Sequence, residues 1–105
     1  MSVSTHVLDS VLGRPAAGIA VRLFAGEKPI AEGVTDRDGR CRLTEDATAA
    51  GTHRLVFATG QWFAEQGREA FYPEVWITFA VVEPGEHHHV PLLLAPFAYS
   101  TYRGS

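Results

Sequence analysis

The 105-residue sequence holds one cysteine, Cys41, so neither an intramolecular disulfide nor an all-cysteine zinc site can form. It has no basic surplus: nine Lys and Arg stand against twelve Asp and Glu, a formal net charge of −3. That balance argues against nucleic acid and against a membrane surface as partners. No apolar run spans a bilayer, because the longest near-apolar stretches, 75–82 and 90–98, fall far short of about 20 residues. The opening Met1-Ser2-Val3-Ser4-Thr5-His6 lacks the charged and apolar regions of a signal peptide and reads as a mature cytosolic start, which points to a cytoplasmic protein. A Gly-rich phosphate loop and a Ser-centred nucleophile elbow are missing too.

What is present is a globular composition, 46% hydrophobic and 20% charged, with no repeats and no linker, read as one domain over 1–105. A chain of this size buries roughly two-thirds of its extended surface. That suffices for one core but is thin for a deep cavity, so a sizeable pocket needs a wall from a partner chain. Strand signals dominate over 19–24, 30–35, 40–43, 53–59, 75–82, 87–94 and 98–103, separated by Gly and Pro turns such as Gly26-Glu27-Lys28-Pro29 and Asp36-Arg37-Asp38-Gly39. One short helix is expected over 61–67, capped by Thr59 or Gly60 and ended by Gly67. Short strands at regular spacing favour an antiparallel β-sandwich.

Side chains two apart on a strand share a face. Val90, Leu92 and Leu94 therefore form a core row, opposite His87, His89, Pro91 and Leu93. Val3, Thr5 and Val7 oppose Ser4, His6 and Leu8 in the same way, and Ser100 and Tyr102 oppose Tyr99 and Thr101. If these strands are neighbours, their outward faces make an apolar patch carrying imidazole, hydroxyl and phenol groups, suited to an interface or a pocket.

Each group also has a plainer reading. An isolated His6 near the N-terminus is ordinarily a solvated side chain, and Arg40 after a turn an ordinary surface charge. His87 and His89 have the spacing of strand-borne zinc ligands, but no third ligand is evident, so no metal is expected. Cys41 has no positioned base beside it and makes a weak nucleophile.

Several motifs together resemble the transthyretin-like family: Thr5-His6-Val7-Leu8-Asp9, Thr35-Asp36-Arg37-Asp38-Gly39-Arg40, Tyr72-Pro73-Glu74-Val75, His87-His88-His89-Val90-Pro91-Leu92-Leu93-Leu94-Ala95-Pro96, and Tyr99-Ser100-Thr101-Tyr102-Arg103-Gly104-Ser105. The match runs over 4–105 and is closer to the hydrolytic branch than to the hormone carriers. The carriers have Lys, Glu and Thr where this chain has His6, Arg40 and His89, and Thr in place of Tyr102. Ala95 for a commoner Ser and His88 for a commoner Tyr are the small departures.

The resemblance implies a prealbumin-like antiparallel sandwich of about eight strands, assembled as a homotetramer from two dimers. Its active sites would lie in the channel between dimers, each lined by two subunits. The implied reaction is hydrolysis of 5-hydroxyisourate to 2-oxo-4-hydroxy-4-carboxy-5-ureidoimidazoline in urate breakdown, with no cofactor. His6 and His89 would hold and deprotonate the attacking water, with Arg40 close by to favour the neutral imidazole and stabilise developing anionic charge. Tyr102, Arg103, Gly104 and Ser105 would orient the substrate. A non-catalytic small-ligand carrier on the same fold is the alternative.

Overall fold

A computed structural model describes residues 2–44 and 49–105; Met1 and 45–48 lie outside that description. The elements in chain order are β1 (Ser2–Asp9), β2 (Arg14–Pro15), β3 (Ala20–Ala25), β4 (Lys28–Val34), β5 (Arg40–Thr44), β6 (Gly51–Phe57), α1 (Thr59–Ala64), β7 (Val75–Val81), β8 (His87–Ala95) and β9 (Ala98–Thr101). One sheet runs β2-β1-β8-β9, with β5 also paired to β1, and the other runs β4-β3-β6-β7. The two sheets enclose the core, as expected of a β-sandwich, and the extra strand beyond eight is the two-residue β2.

The apolar rows read from alternation face inward. Val3 and Val7 of β1, Leu23 of β3, Leu55 and Phe57 of β6, and Leu92 and Leu94 of β8 are fully or almost fully buried. Each such side chain contributes about 1.5–3 kcal/mol by leaving water. Thr5 shares the buried row of β1 and remains satisfied by donating its hydroxyl to the Val90 carbonyl at 2.6 Å.

The fold departs from expectation in several places. β1 and β8 pair in parallel, Ser4 opposite His89 and His6 opposite Pro91, while the other strand pairs are antiparallel. The β3–β4 turn is only Gly26-Glu27, with Gly26 at φ +62°, so Lys28 and Pro29 already belong to β4. Pro29 is tolerated there because β4 is an edge strand. The helix covers Thr59–Ala64 rather than 61–67, and Ala58 occupies the capping position without a side-chain bond. β6 ends at Phe57 and the chain turns at once, held where the Gly60 N–H donates to the Pro73 carbonyl at 2.9 Å. Gly67, at φ +67°, closes the turn that follows the helix.

The last strand stops at Thr101 instead of reaching Arg103. Pro91 has no N–H to offer Tyr102, the residue that would face it, and its carbonyl accepts the Thr101 hydroxyl at 2.7 Å. Pairing resumes in the same register two residues further on, at His89 and Gly104.

Candidate active site

The strands β5, β1 and β8 lie side by side, and their register decides what meets on the outer face. Arg40 is opposite His6 and Arg42 opposite Ser4; Ser4 in turn is opposite His89. Period-two alternation then puts Arg40, Arg42, Ser4, His6, His87 and His89 on one side of the sheet. Cys41 is on the other side, its Sγ so close to Gly33 that a Cβ there would lie 2.7 Å away. Burial, then the Asp36 charge, pushes that thiol above its ordinary pKa, which is the wrong direction for a nucleophile.

The turn before β5 is built to hold His6. Asp36 Oδ1 accepts the N–H groups of Asp38 at 2.8 Å and Arg40 at 3.0 Å. Gly39, at φ +77°, presses so closely on β1 that a side chain would collide with the Val7 carbonyl. The Val7 N–H donates to the Gly39 carbonyl at 2.7 Å and fixes the contact. The Asp38 carbonyl thereby meets His6 Nε2 at 2.8 Å. A carbonyl can only accept, so Nε2 carries the proton and Nδ1 of a neutral His6 is the basic nitrogen. The Asp36 carboxyl is held below its ordinary range, first by the Arg40 N–H and further by that of Asp38 and the charges of Arg40 and His6.

His89 is fixed from the other side. Its Nδ1 is 2.8 Å from Ser4 Oγ, which leaves Nε2 as the ring nitrogen available to a ligand. Desolvation lowers the His89 pKa from the ordinary 6.5, and the charges of His87, Arg40 and His6 lower it further against the opposing Ser4 bond. The imidazole is thus kept neutral, as a base near pH 7 must be. Ser4, Asp36, Arg40, Arg42 and His89 are among the residues lining an open cavity of about 220 Å³.

The terminal tail reaches the same imidazole. The Gly104 N–H donates to the His89 carbonyl at 2.8 Å, and a Cβ on Gly104 would come within 2.5 Å of His89 Cδ2. Tyr102 and Arg103 line a second cavity of about 270 Å³, between β7 and the end of β9, which His88 and His89 also border. Tyr102 is 58% exposed, Ser105 is exposed, and the Arg103 guanidinium donates to Glu86 at 3.0 Å. Arg40 and His89 therefore share one cavity, with Gly104 against the His89 ring and His6 beside Arg40 on the same face, whereas Tyr102 and Arg103 border the second cavity and Ser105 is simply exposed. His88 turns inward, buried beside Phe79. Among the described residues, no three His, Cys, Asp or Glu side chains gather as a metal-holding group. A larger hollow of about 410 Å³ over β3 and β4, lined by Arg22, Glu32, Val34 and Glu74 among others, contains no imidazole.

The contacts of Ser4 with His87 and His89, and of the Asp38 carbonyl with His6, escape a reading of the sequence alone. Ser4 shares a row with His6, but nothing local tells that β1 runs beside β8 and places Ser4 against His89.

The two-sheet sandwich thus carries two imidazoles and a guanidinium on one sheet face. The chain belongs to the HIUase/Transthyretin family, whose model matches residues 3–104. It is 46% identical over 112 residues to 5-hydroxyisourate hydrolase of Caulobacter vibrioides, covering 98% of this chain and 97% of that one. The structure of the Klebsiella pneumoniae 5-hydroxyisourate hydrolase is similar at a TM-score of 0.93 and 40% identity, over 100% of both chains. Sea bream transthyretin in complex with thyroxine is similar at a TM-score of 0.87 and 32% identity, over 97% of this chain and 93% of that one. No helix among the described residues is long and apolar enough to cross a membrane.

Proposed function

We propose that the protein hydrolyses 5-hydroxyisourate to 2-oxo-4-hydroxy-4-carboxy-5-ureidoimidazoline in urate breakdown, by water activated at the face shared by β5, β1 and β8. One observation carries the reading: His6, Arg40 and His89 project from neighbouring strands on the same face, with both imidazoles held in defined orientations by Asp38 and Ser4. A cyclic amide in an oxidised ring is electrophilic enough to need no metal. What it needs is a deprotonated water and a charge to receive the oxyanion. Neutral His89, through Nε2, and His6, through Nδ1, hold the water and take its proton. Arg40, permanently charged, favours the neutral His89 imidazole and stabilises the tetrahedral intermediate. Tyr102, Arg103, the Gly104 backbone and Ser105 orient substrate oxygens and nitrogens from the rim.

The whole chain acts as one transthyretin-like domain, assembled into a homotetramer of two dimers and working in the cytoplasm. The size of the cleft supports assembly: about 220 Å³, open on one side, is below the 300–1,000 Å³ typical of small-molecule pockets. A second copy facing the same sheet would supply the missing wall and enclose the exposed Tyr102.

The test is the ultraviolet decay of 5-hydroxyisourate freshly made by urate oxidase. Acceleration in proportion to added protein is the expected outcome. Unchanged decay together with saturable binding would instead identify a carrier on the transthyretin fold.

A further inference from the structure

Two serines and two histidines form a continuous hydrogen-bonded chain across the β1–β8 pair. Ser2 Oγ bonds His87 Nδ1, His87 Nε2 lies 3.1 Å from Ser4 Oγ, and Ser4 Oγ lies 2.8 Å from His89 Nδ1. The parallel register produces it: Ser2 stands opposite His87 and Ser4 opposite His89, so Ser4 bonds its own partner and also reaches the one before. The two rings are nearly parallel, at 17°, with centroids 6.1 Å apart. One end of the chain is solvent-exposed His87, and the other is the imidazole that borders the cleft.

From this arrangement we propose that Ser4 and His87 are a proton relay, exchanging protons between His89 and bulk water during hydrolysis. The inference rests on the reading of His89 as a base and adds a path for its second proton. A serine hydroxyl donates one bond and accepts others, and a neutral imidazole donates from one nitrogen and accepts at the other, so the chain has two self-consistent senses. In the first, His89 Nδ1–H donates to Ser4, Ser4 to His87 Nε2, and His87 Nδ1–H to Ser2, leaving His89 Nε2 basic.

As the water oxygen bonds the amide carbon, its O–H bond breaks and that proton passes to His89 Nε2. The Nδ1 proton moves to Ser4 Oγ, the Ser4 proton to His87 Nε2, and the His87 Nδ1 proton leaves through Ser2 or directly to solvent. The chain is now in its second sense, and His89 is neutral again with its proton on Nε2. When the C–N bond breaks, the leaving nitrogen takes the Nε2 proton, and one proton from solvent travels back along the chain to Nδ1. The product acid releases its own proton, so one water is consumed and every proton is accounted for.

The charged surroundings favour neutral rings throughout. Arg40 and Arg42 on β5, and His6 on β1, face the chain from the same side; His88 is adjacent on β8, and the Asp36 carboxylate sits in the turn beside Arg40. Burial, Arg42 and His88 hold the His87 pKa below its ordinary value, so His87 passes a proton on rather than retaining it.

The experiment compares wild type with Ser4→Ala, Ser4→Thr, His87→Ala and His89→Asn, each confirmed to keep the wild-type assembly. Ser4→Ala and His87→Ala are expected to lower kcat about tenfold, a fraction of what the base itself supplies, with little change in KM. Rates in mixed light and heavy water should give a curved proton inventory for wild type and a straight one for Ser4→Ala. Ser4→Thr should restore the rate and the curvature, and added imidazole should rescue His87→Ala but leave wild type unaffected. Wild-type kcat and an unchanged inventory in Ser4→Ala and His87→Ala, alongside an inactive His89→Asn, would overturn the relay while sparing His89. Full activity in His89→Asn would overturn the reading of His89, and the relay with it.

Discussion

Gly104 seals one side of His89: its N–H donates to the His89 carbonyl at 2.8 Å, and its bare Cα leaves just enough room for the imidazole. A methyl group there would lie 2.5 Å from Cδ2, and Pro91 Cγ, at 3.1 Å, closes the other way out. The ring and the tail cannot both stay in place once Gly104 has a side chain. Gly104→Ala is expected to lower kcat/KM by about 10²-fold, the order lost when a reacting group is misplaced by an ångström. Thermal unfolding should change little, because the tail lies outside the core. Wild-type kinetics in this variant would show that the tail is not seated on His89 during turnover.

Arg40 is expected to contribute to the acid limb of the pH profile. Burial and nearby positive charge lower the His89 pKa, so the neutral base persists to lower pH than an unperturbed histidine allows. Replacing Arg40 with Gln removes one positive charge, raises the His89 pKa and moves the acid limb of kcat/KM towards higher pH. The shift is partial, since burial is the larger cause and remains. The limb is read from kcat/KM against pH, and an unmoved limb would remove Arg40 from the electrostatics of the base.

A structural prediction concerns Asp9 and Arg68, 2.7 Å apart, where the carboxylate is buried and also accepts the N–H groups of Val11 and Leu12 from the chain just after β1. Burial works to raise the Asp9 pKa but is outweighed by the Arg68 bond and charge and the two N–H groups, so the net direction is down. A folded-state pKa below the unfolded value gives stabilisation that is present at neutral pH and lost as pH falls through the folded value. Arg68→Ala strands a buried carboxylate and should cost about 3 kcal/mol at pH 7. Urea midpoints measure the loss, and the difference from wild type should shrink below the ordinary carboxylate pKa of 3.8. An equal difference at both pH values would contradict the ion pair as its source.

How legible was this in the sequence? The faces of β1 and β8 were, because alternation is local: Val90, Leu92 and Leu94 turn inward, and His87 and His89 turn outward. The pairing of those strands was not. Nothing in the spacing of residues 2–9 tells that they run parallel to a segment more than 80 positions later, and Ser4 acquires its significance only from that register. The helix starts at Thr59, earlier than its local sequence suggests, where the Gly60 N–H bonds the Pro73 carbonyl, again a distant contact. The end of β9 was legible in principle, since Pro91 lacks an N–H, but only once Tyr102 is known to face it. Tyr102, Arg103 and Ser105 carry no local signal of a role; only the resemblance of the terminal motif to the family singles them out.

On the proposed reading, one face of β5, β1 and β8 carries out the hydrolysis, with His89 as its base. The most direct test is the turnover of freshly generated 5-hydroxyisourate by wild type and His89→Asn at equal concentrations, with both shown to have the same oligomeric state. The variant is expected to lose about 10²–10⁴-fold in kcat, the contribution typical of a general base. Near-equal rates for the two proteins would contradict it.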